Sequence, residues 1–201
     1  MKKVVALLSL VAVFAAGAVQ AAGDAAAGKS KSAACAGCHG MDGNSVNPEW
    51  PKLAGQHEDY LFKQLQNFKS GDRQNALMAG QVAALSEQDM ADLAAYFSSL
   101  KGSGGETDPA QLEVGQTLYR AGNAASGVSA CTACHGPTGA GNPQAKFPSL
   151  SGQHATYVMN QLKAFRSGER ANDAGQMMRN IASKMSDAEI VAAAQYVQGL
   201  H

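Results

Sequence analysis

The sequence predicts an all-α protein made of two tandem copies of one domain. Three observations predict it: a long internal repeat, apolar stripes at helical period inside each copy, and the lack of any convincing alternating strand pattern. Cys35-Ala36-Gly37-Cys38-His39-Gly40 recurs as Cys131-Thr132-Ala133-Cys134-His135-Gly136, an offset of 96. Pro51 to His57 recurs as Pro148 to His154 at 97, and Ser86 to Leu100 recurs as Ser186 to Leu200 at 100. Between Gly55 and Asn75, eleven of 21 positions are identical in Gly152 to Asn172. The drift of the offset points to small loop insertions rather than a tandem array.

The chain opens on Met1-Lys2-Lys3, then an uncharged apolar run of sixteen residues from Val4 to Val19, then Val19-Gln20-Ala21 with small residues where a signal peptidase reads. Spanning a bilayer takes about 20 apolar residues, so residues 1–21 read as a cleaved export signal and the mature chain starts near Ala22. Lys101 to Pro109 holds three glycines, a proline and almost nothing apolar, the composition of a linker. The expected domains are therefore 22–101 and 110–201, joined by 102–109. Sixteen basic and sixteen acidic residues cancel, which excludes a general nucleic-acid binder. Without the signal the count is 14 against 16, and the first copy, with seven basic and nine acidic residues, is the more acidic half.

Within each copy the middle helix places Leu61, Leu65 and Phe68 on one face and stops at Gly71; its counterpart uses Val158, Leu162 and Phe165 and stops at Gly168. The last helix starts at Ser86 with Asp89 three residues on, and at Ser186 with Glu189, a capping box. Met90, Leu93, Ala94 and Phe97 form its stripe, answered by Ile190, Ala193, Ala194 and Val197. With only 6% aromatic residues, these stripes give a thin core, and something large and apolar has to complete it.

The cysteines supply the candidate. In Cys-x-x-Cys-His two thiols three residues apart on a helical turn can each bond one vinyl group of a porphyrin. The next residue, His39 or His135, is then held beneath the iron as proximal ligand. A thioredoxin-like pair would need a βαβ setting that is absent, and a structural zinc site would have to join cysteine pairs 92 residues apart. Disulfides explain neither the histidine nor its repetition. Two covalently attached haem c groups, on Cys35 and Cys38 and on Cys131 and Cys134, are the expectation.

The second axial ligand is less sharply marked. Met78 and Met178 both lie eight residues before the helix-starting serine, after an Arg-x-Asn segment; Met177 breaks that register by one. Met41, Met90, Met159 and Met185 have no methionine counterpart in the other copy. His57 and His154 are equivalent too, which leaves bis-histidine ligation open, although a surface or capping role at the start of a helix suits them better. Methionine is the preferred ligand, and a thioether would raise the reduction potential. A metal-bound imidazole normally has its other N–H held by a carbonyl or carboxylate, and the backbone oxygens of Pro51 and Pro148 are the candidates for that role.

Two Cys-x-x-Cys-His-Gly domains, each continuing through Pro-x-Leu-x-Gly-Gln and closing on a methionine and a Ser-capped helix, resemble the dihaem cytochrome c4 family over essentially the whole mature chain. The resemblance implies two class I cytochrome c folds packed about a pseudo-twofold axis. It implies His39 with Met78 and His135 with Met178 as axial pairs. It also implies a periplasmic carrier, often loosely membrane-associated, and a monomer is expected. Such a carrier takes electrons from a quinol-oxidising complex and feeds a terminal cytochrome oxidase. In the loops after the motifs, only Gly43-Asn44 and Gly141-Asn142 echo each other.

With both axial positions filled, no site is left for substrate, so the chemistry expected is electron transfer without catalysis. The rival is a dihaem peroxidase, in which one iron must be open; near-identical copies argue against it.

Overall fold

The structure is a computed structural model that describes residues 22–200. The expected signal segment, residues 1–21, lies outside the described residues, as does His201. The chain runs through α1 (Ala25–Lys31), α2 (Ala33–His39), α3 (Glu58–Ser70), α4 (Ala76–Val82) and α5 (Glu87–Ser99). It then repeats the plan in α6 (Pro109–Ala121), α7 (Thr132–His135), α8 (Ala155–Ser167), α9 (Met177–Ala182) and α10 (Asp187–Gly199). A 3-10 turn at Ala174–Gln176 precedes α9. Among the described residues the β content is two isolated bridges, Asn123 with Val128 and Asn142 with Phe147. None of the described helices is long and apolar enough to cross a membrane.

The elements stop and start where their end residues dictate. Gly71 and Gly168 close α3 and α8 in the left-handed region, at φ 87° and 81°, where a side chain would be strained. Both last helices begin in full capping boxes: Ser86 with Asp89, and Ser186 with Glu189. Asp24 caps α1 through the Ala26 N–H, and Asp108 caps α6, whose first residue is Pro109. Proline suits that position because its fixed φ matches the helix and the missing N–H would have gone unpaired.

Packing follows the stripes. Met90, Leu93, Ala94 and Phe97 on α5 are buried, as are Ile190, Ala193, Ala194 and Val197 on α10. α1 crosses α5 at Gly28, and α6 crosses α10 at Gly115. A Cβ on Gly28 would lie 2.8 Å from the Tyr96 Cβ, and one on Gly115 would lie 2.7 Å from the Tyr196 Cβ. These two glycines are thus structural equivalents, and they bring the backbones together where sequence periodicity offers no stripe. The sequence distance from Gly115 to Cys131 exceeds that from Gly28 to Cys35 by nine residues. The extra chain folds back through the Asn123–Val128 bridge and buries Val128.

The helices pack within two groups, α1–α5 and α6–α10, and the groups meet through equivalent polar residues. Gln56 accepts from the Ser149 N–H at 2.9 Å and donates to the Ser149 carbonyl at 2.8 Å. Gln153 makes the same pair of bonds with Lys52, both 2.9 Å. The Arg73 guanidinium donates to the Tyr157 hydroxyl at 2.9 Å, and Arg170 donates to the Tyr60 hydroxyl at 3.0 Å. Arg73 also reaches Gln64 and Gln161, as does Arg170. Each guanidinium lies over a ring of its own copy, Arg73 on Phe68 at 4.6 Å and Arg170 on Phe165 at 4.5 Å. Every one of these contacts maps onto its partner by exchanging the copies, which is a pseudo-twofold axis written in hydrogen bonds.

Candidate functional site

Each Cys-x-x-Cys-His segment is a short helix ending on its histidine. Cys35, Cys38 and His39 belong to α2; Cys131 caps α7, and Cys134 and His135 lie in it. Cys35 and Cys131 are half-buried, packed respectively against a cluster of Leu61, Leu93, Ala94, Tyr96 and Phe97 and against one containing Tyr119, Val158 and Val197. Cys38 and Cys134 are exposed, and all four are free. Gly40 and Gly136, both at positive φ, turn the chain away immediately after each histidine.

Both imidazoles are buried and bracketed alike. His39 Nδ1 lies 2.9 Å from the Pro51 carbonyl oxygen, and His135 Nδ1 lies 3.0 Å from that of Pro148, each N–H donating. The Nδ1 proton being held there, Nε2 carries the free lone pair, the arrangement an iron ligand needs. Burial holds both imidazoles below the ordinary histidine value, against the opposing pull of the carbonyl, so they stay neutral. The prolyl carbonyls are thus where sequence spacing put them.

Met78 stands on α4, whose first turn is capped by Asn75, the acceptor for the Met78 N–H at 3.0 Å. α4 packs on α3, which carries Leu61 and Leu65 into the cluster around Cys35. Met178 stands on α9, which packs on α8, whose Val158 and Leu162 belong to the cluster around Cys131. Met178 is half-buried while its neighbour Met177 is 41% exposed, as Leu77 beside Met78 is 70% exposed. The loop before Met178 is longer by Asp173, Ala174 and Gly175 and is tied by an Asp173–Arg179 ion pair at 2.7 Å.

His57 and His154 do sit at the starts of α3 and α8, but their side chains cap nothing. Each reaches across the axis: His57 Nε2 to the Ala140 carbonyl at 2.7 Å, His154 Nε2 to that of Ser45 at 2.6 Å. The loop echo after the motifs is also corrected. Gly139, not Gly141, is the counterpart of Gly43: it accepts from Leu150 N–H as Gly43 accepts from Leu53 N–H, and each packs on a last-helix leucine, Leu200 or Leu100. Sequence spacing failed there because the insertion falls inside the loop.

Sequence reasoning missed the Tyr60, Gln64 and Arg73 set and its copy, Tyr157, Gln161 and Arg170. The signal was present: all three pairs belong to the eleven identities, and polar identities with no role in attaching a cofactor mark an interface. Burial by itself would raise the Tyr60 phenol, yet the Arg170 and Arg73 guanidiniums hold it below its ordinary value.

The donor set fits covalently attached haem. Burial pushes Cys35 up and Cys131 up to about 11, so both rest as thiols. Among the described residues no three His, Cys, Asp or Glu side chains are grouped to hold a bare metal ion. Two thiols and one neutral imidazole per turn, against an alanine-rich core with few rings, suit a porphyrin that completes the packing.

The family model described as cytochrome c matches residues 25–101 and 112–201. Cytochrome c4 of Azotobacter vinelandii is 52% identical over 195 residues, covering 92% of this chain and 93% of that protein. The thiosulfate dehydrogenase electron acceptor of Thiomonas intermedia is 39% identical over 205 residues, 98% of this chain and 90% of that protein. The crystal structure of reduced recombinant cytochrome c4 from Pseudomonas stutzeri superposes with a TM-score of 0.87 at 50% identity, covering 90% of this chain and all of that one. Two haem c sites, two tandem class I folds and, among the described residues, no sheet leave one placement: the chain belongs to the cytochrome c family, among the dihaem electron-transfer cytochromes c4.

Proposed function

We propose that this protein is an exported electron carrier of the periplasm, whose two irons are held by His39 with Met78 and by His135 with Met178. Bound haem supplies a one-electron ferric–ferrous couple. The residues do the rest. The thiols of Cys35, Cys38, Cys131 and Cys134 tether the group, the Pro51 and Pro148 carbonyls orient the imidazoles, and the clusters around Cys35 and Cys131 keep water out. The observation that carries the reading is the matching of the two imidazole–carbonyl brackets, 2.9 and 3.0 Å, in two equivalent sites. The equivalence of the two sites supports a carrier over a peroxidase, whose sites must differ so that one iron is open. His57 and His154 turn Nε2 to carbonyls of the other copy, which supports methionine over them as ligands.

The electron source in this reading is a quinol-oxidising complex and the acceptor a terminal oxidase, met by a monomer that touches the membrane peripherally if at all. The signal is residues 1–21, the domains 22–101 and 110–201, and the linker 102–109. A second source is supported by one relative's description as the electron acceptor of thiosulfate dehydrogenase. The test is an oxidised-minus-reduced spectrum of the exported protein with alkaline pyridine to count haems. Two haems per chain and the weak far-red sulfur-to-iron band are expected. Met78→Ala and Met178→Ala should each remove about half of that band, and His57→Gln none of it. A band untouched by both methionine variants would sink the ligand assignment.

A further inference from the structure

The two copies serve as internal controls for one another, and one buried position that differs between them lies beside an attachment site. The equivalence of Gly28 and Gly115 aligns Ser32 with Tyr119. Ser32 is spent locally, its hydroxyl donating to the Lys29 carbonyl at 2.9 Å. Tyr119 is fully buried, its ring 5.4 Å from that of Tyr196 and packed with Cys131. Its hydroxyl donates at 2.7 Å to the carbonyl of Gly136, the residue next to His135. Copy one keeps a ring beside Tyr96, but from Phe97 at 5.2 Å, where copy two has Val197. That ring has no hydroxyl. The Gly40 carbonyl accepts the Gly43 N–H at 3.1 Å, as the Gly136 carbonyl accepts that of Gly139 at 3.2 Å, but among the described residues it has no side-chain donor.

We propose that Tyr119 is the positioning residue that sets the reduction potential of the second haem above that of the first. The inference rests on the dihaem carrier reading. Two contributions share a sign. The fully buried ring lies against Cys131 and excludes water there, which disfavours the extra positive charge of the oxidised iron. The hydroxyl is also a second donor to the Gly136 carbonyl, which already accepts the Gly139 N–H at 3.2 Å, and it weakens the pull of that carbonyl's negative end on the charge. An electron shared between the two haems, when bound, would then favour the second site, one iron being reduced as the other is oxidised.

The experiment is a spectroelectrochemical titration of the full holoprotein, wild type beside Tyr119→Ser, which installs the first copy's residue, and Tyr119→Phe, which removes the hydroxyl alone. Wild type should titrate in two steps. Tyr119→Ser should lower the upper step only, reducing the equilibrium constant for sharing an electron between the haems by about tenfold, the scale of one charge-sensing hydrogen bond plus lost burial. Tyr119→Phe should move the same step the same way by less. If the serine variant does not fold, the phenylalanine variant decides. Two steps unmoved by Tyr119→Phe, a shift of the lower step, or equal shifts of both would overturn the proposal. A haem count of one, or an absent far-red band in wild type, would instead mark failure of the dihaem His/Met reading itself.

Discussion

His39 and His135 show how little a residue needs to become a ligand: one nitrogen held by a prolyl carbonyl, the other left bare, and enough burial to stay neutral. The chemistry at this scale was legible because the attachment motif is local, its members fixed by the period of one helical turn. Tyr60, Gln64 and Arg73 were not legible as a set because their meaning depends on partners about a hundred residues away. Gly115 is similarly silent in sequence, yet it sets how closely α6 approaches α10. Gly115→Ala should force those backbones apart and destabilise the fold by about 1–3 kcal/mol, the scale of core overpacking, despite improving helix propensity. Thermal unfolding of the holoprotein checks this; an unchanged or raised Tm would mean that the crossing tolerates a methyl group.

Among the elements, α3, α5, α8 and α10 were readable from apolar period and caps, whereas α1 was not. Its sequence, Ala-Ala-Ala-Gly-Lys-Ser-Lys, presents no stripe, because it docks by a glycine and an ion pair rather than by large side chains. Asp92 on α5 accepts the Asp24 N–H at 2.9 Å, the Lys31 ammonium at 2.6 Å and the Gln88 amide at 2.7 Å. In α6 and α10 the equivalent pair is Leu118 and Ala192, so an ionic clasp in one copy is an apolar contact in the other. The Asp24 N–H, then Lys31 and Gln88, hold the Asp92 carboxyl at about 2 instead of 3.8. A carboxyl depressed on folding stabilises α1 fully above about pH 4, and that contribution is lost as pH falls through about 2. Asp92→Asn should therefore shrink the step in α1 protection between those values, Asp89 still accepting from Lys31 at 2.6 Å, while leaving α6 unaffected, as amide hydrogen exchange across an acid series would report.

The whole molecule is two small helical bodies whose contact is polar. Arg73 and Arg170 are each buried, stacked on a ring and bonded to glutamine and tyrosine partners in both copies. Replacing both arginines by alanine removes these charged hydrogen bonds and leaves Gln64 only its Asn172 donor, a loss of about 1.5–3 kcal/mol for each charged hydrogen bond removed. Calorimetry should then resolve one cooperative transition into two, the copies melting separately. A single unchanged endotherm would show that the copies do not depend on this contact. Duplication was visible in the sequence; the axis relating the copies was not, since no offset tells how two repeats face each other.

Lys52 ties the linker down with bonds to the Ser103, Gly104 and Gly152 carbonyls at 3.0, 3.2 and 2.9 Å, and the Ser103 N–H donates to Asn44. A short tether fastened near its start keeps the two halves at an effective concentration of the order of millimolar or above. Hydrogen bonds too weak to join two free molecules then suffice to hold a single orientation. The contact between the halves has thereby been freed from any need for apolar area. Its surfaces can stay wettable, so a half that is transiently undocked, or newly made and waiting for its twin, remains soluble instead of clumping.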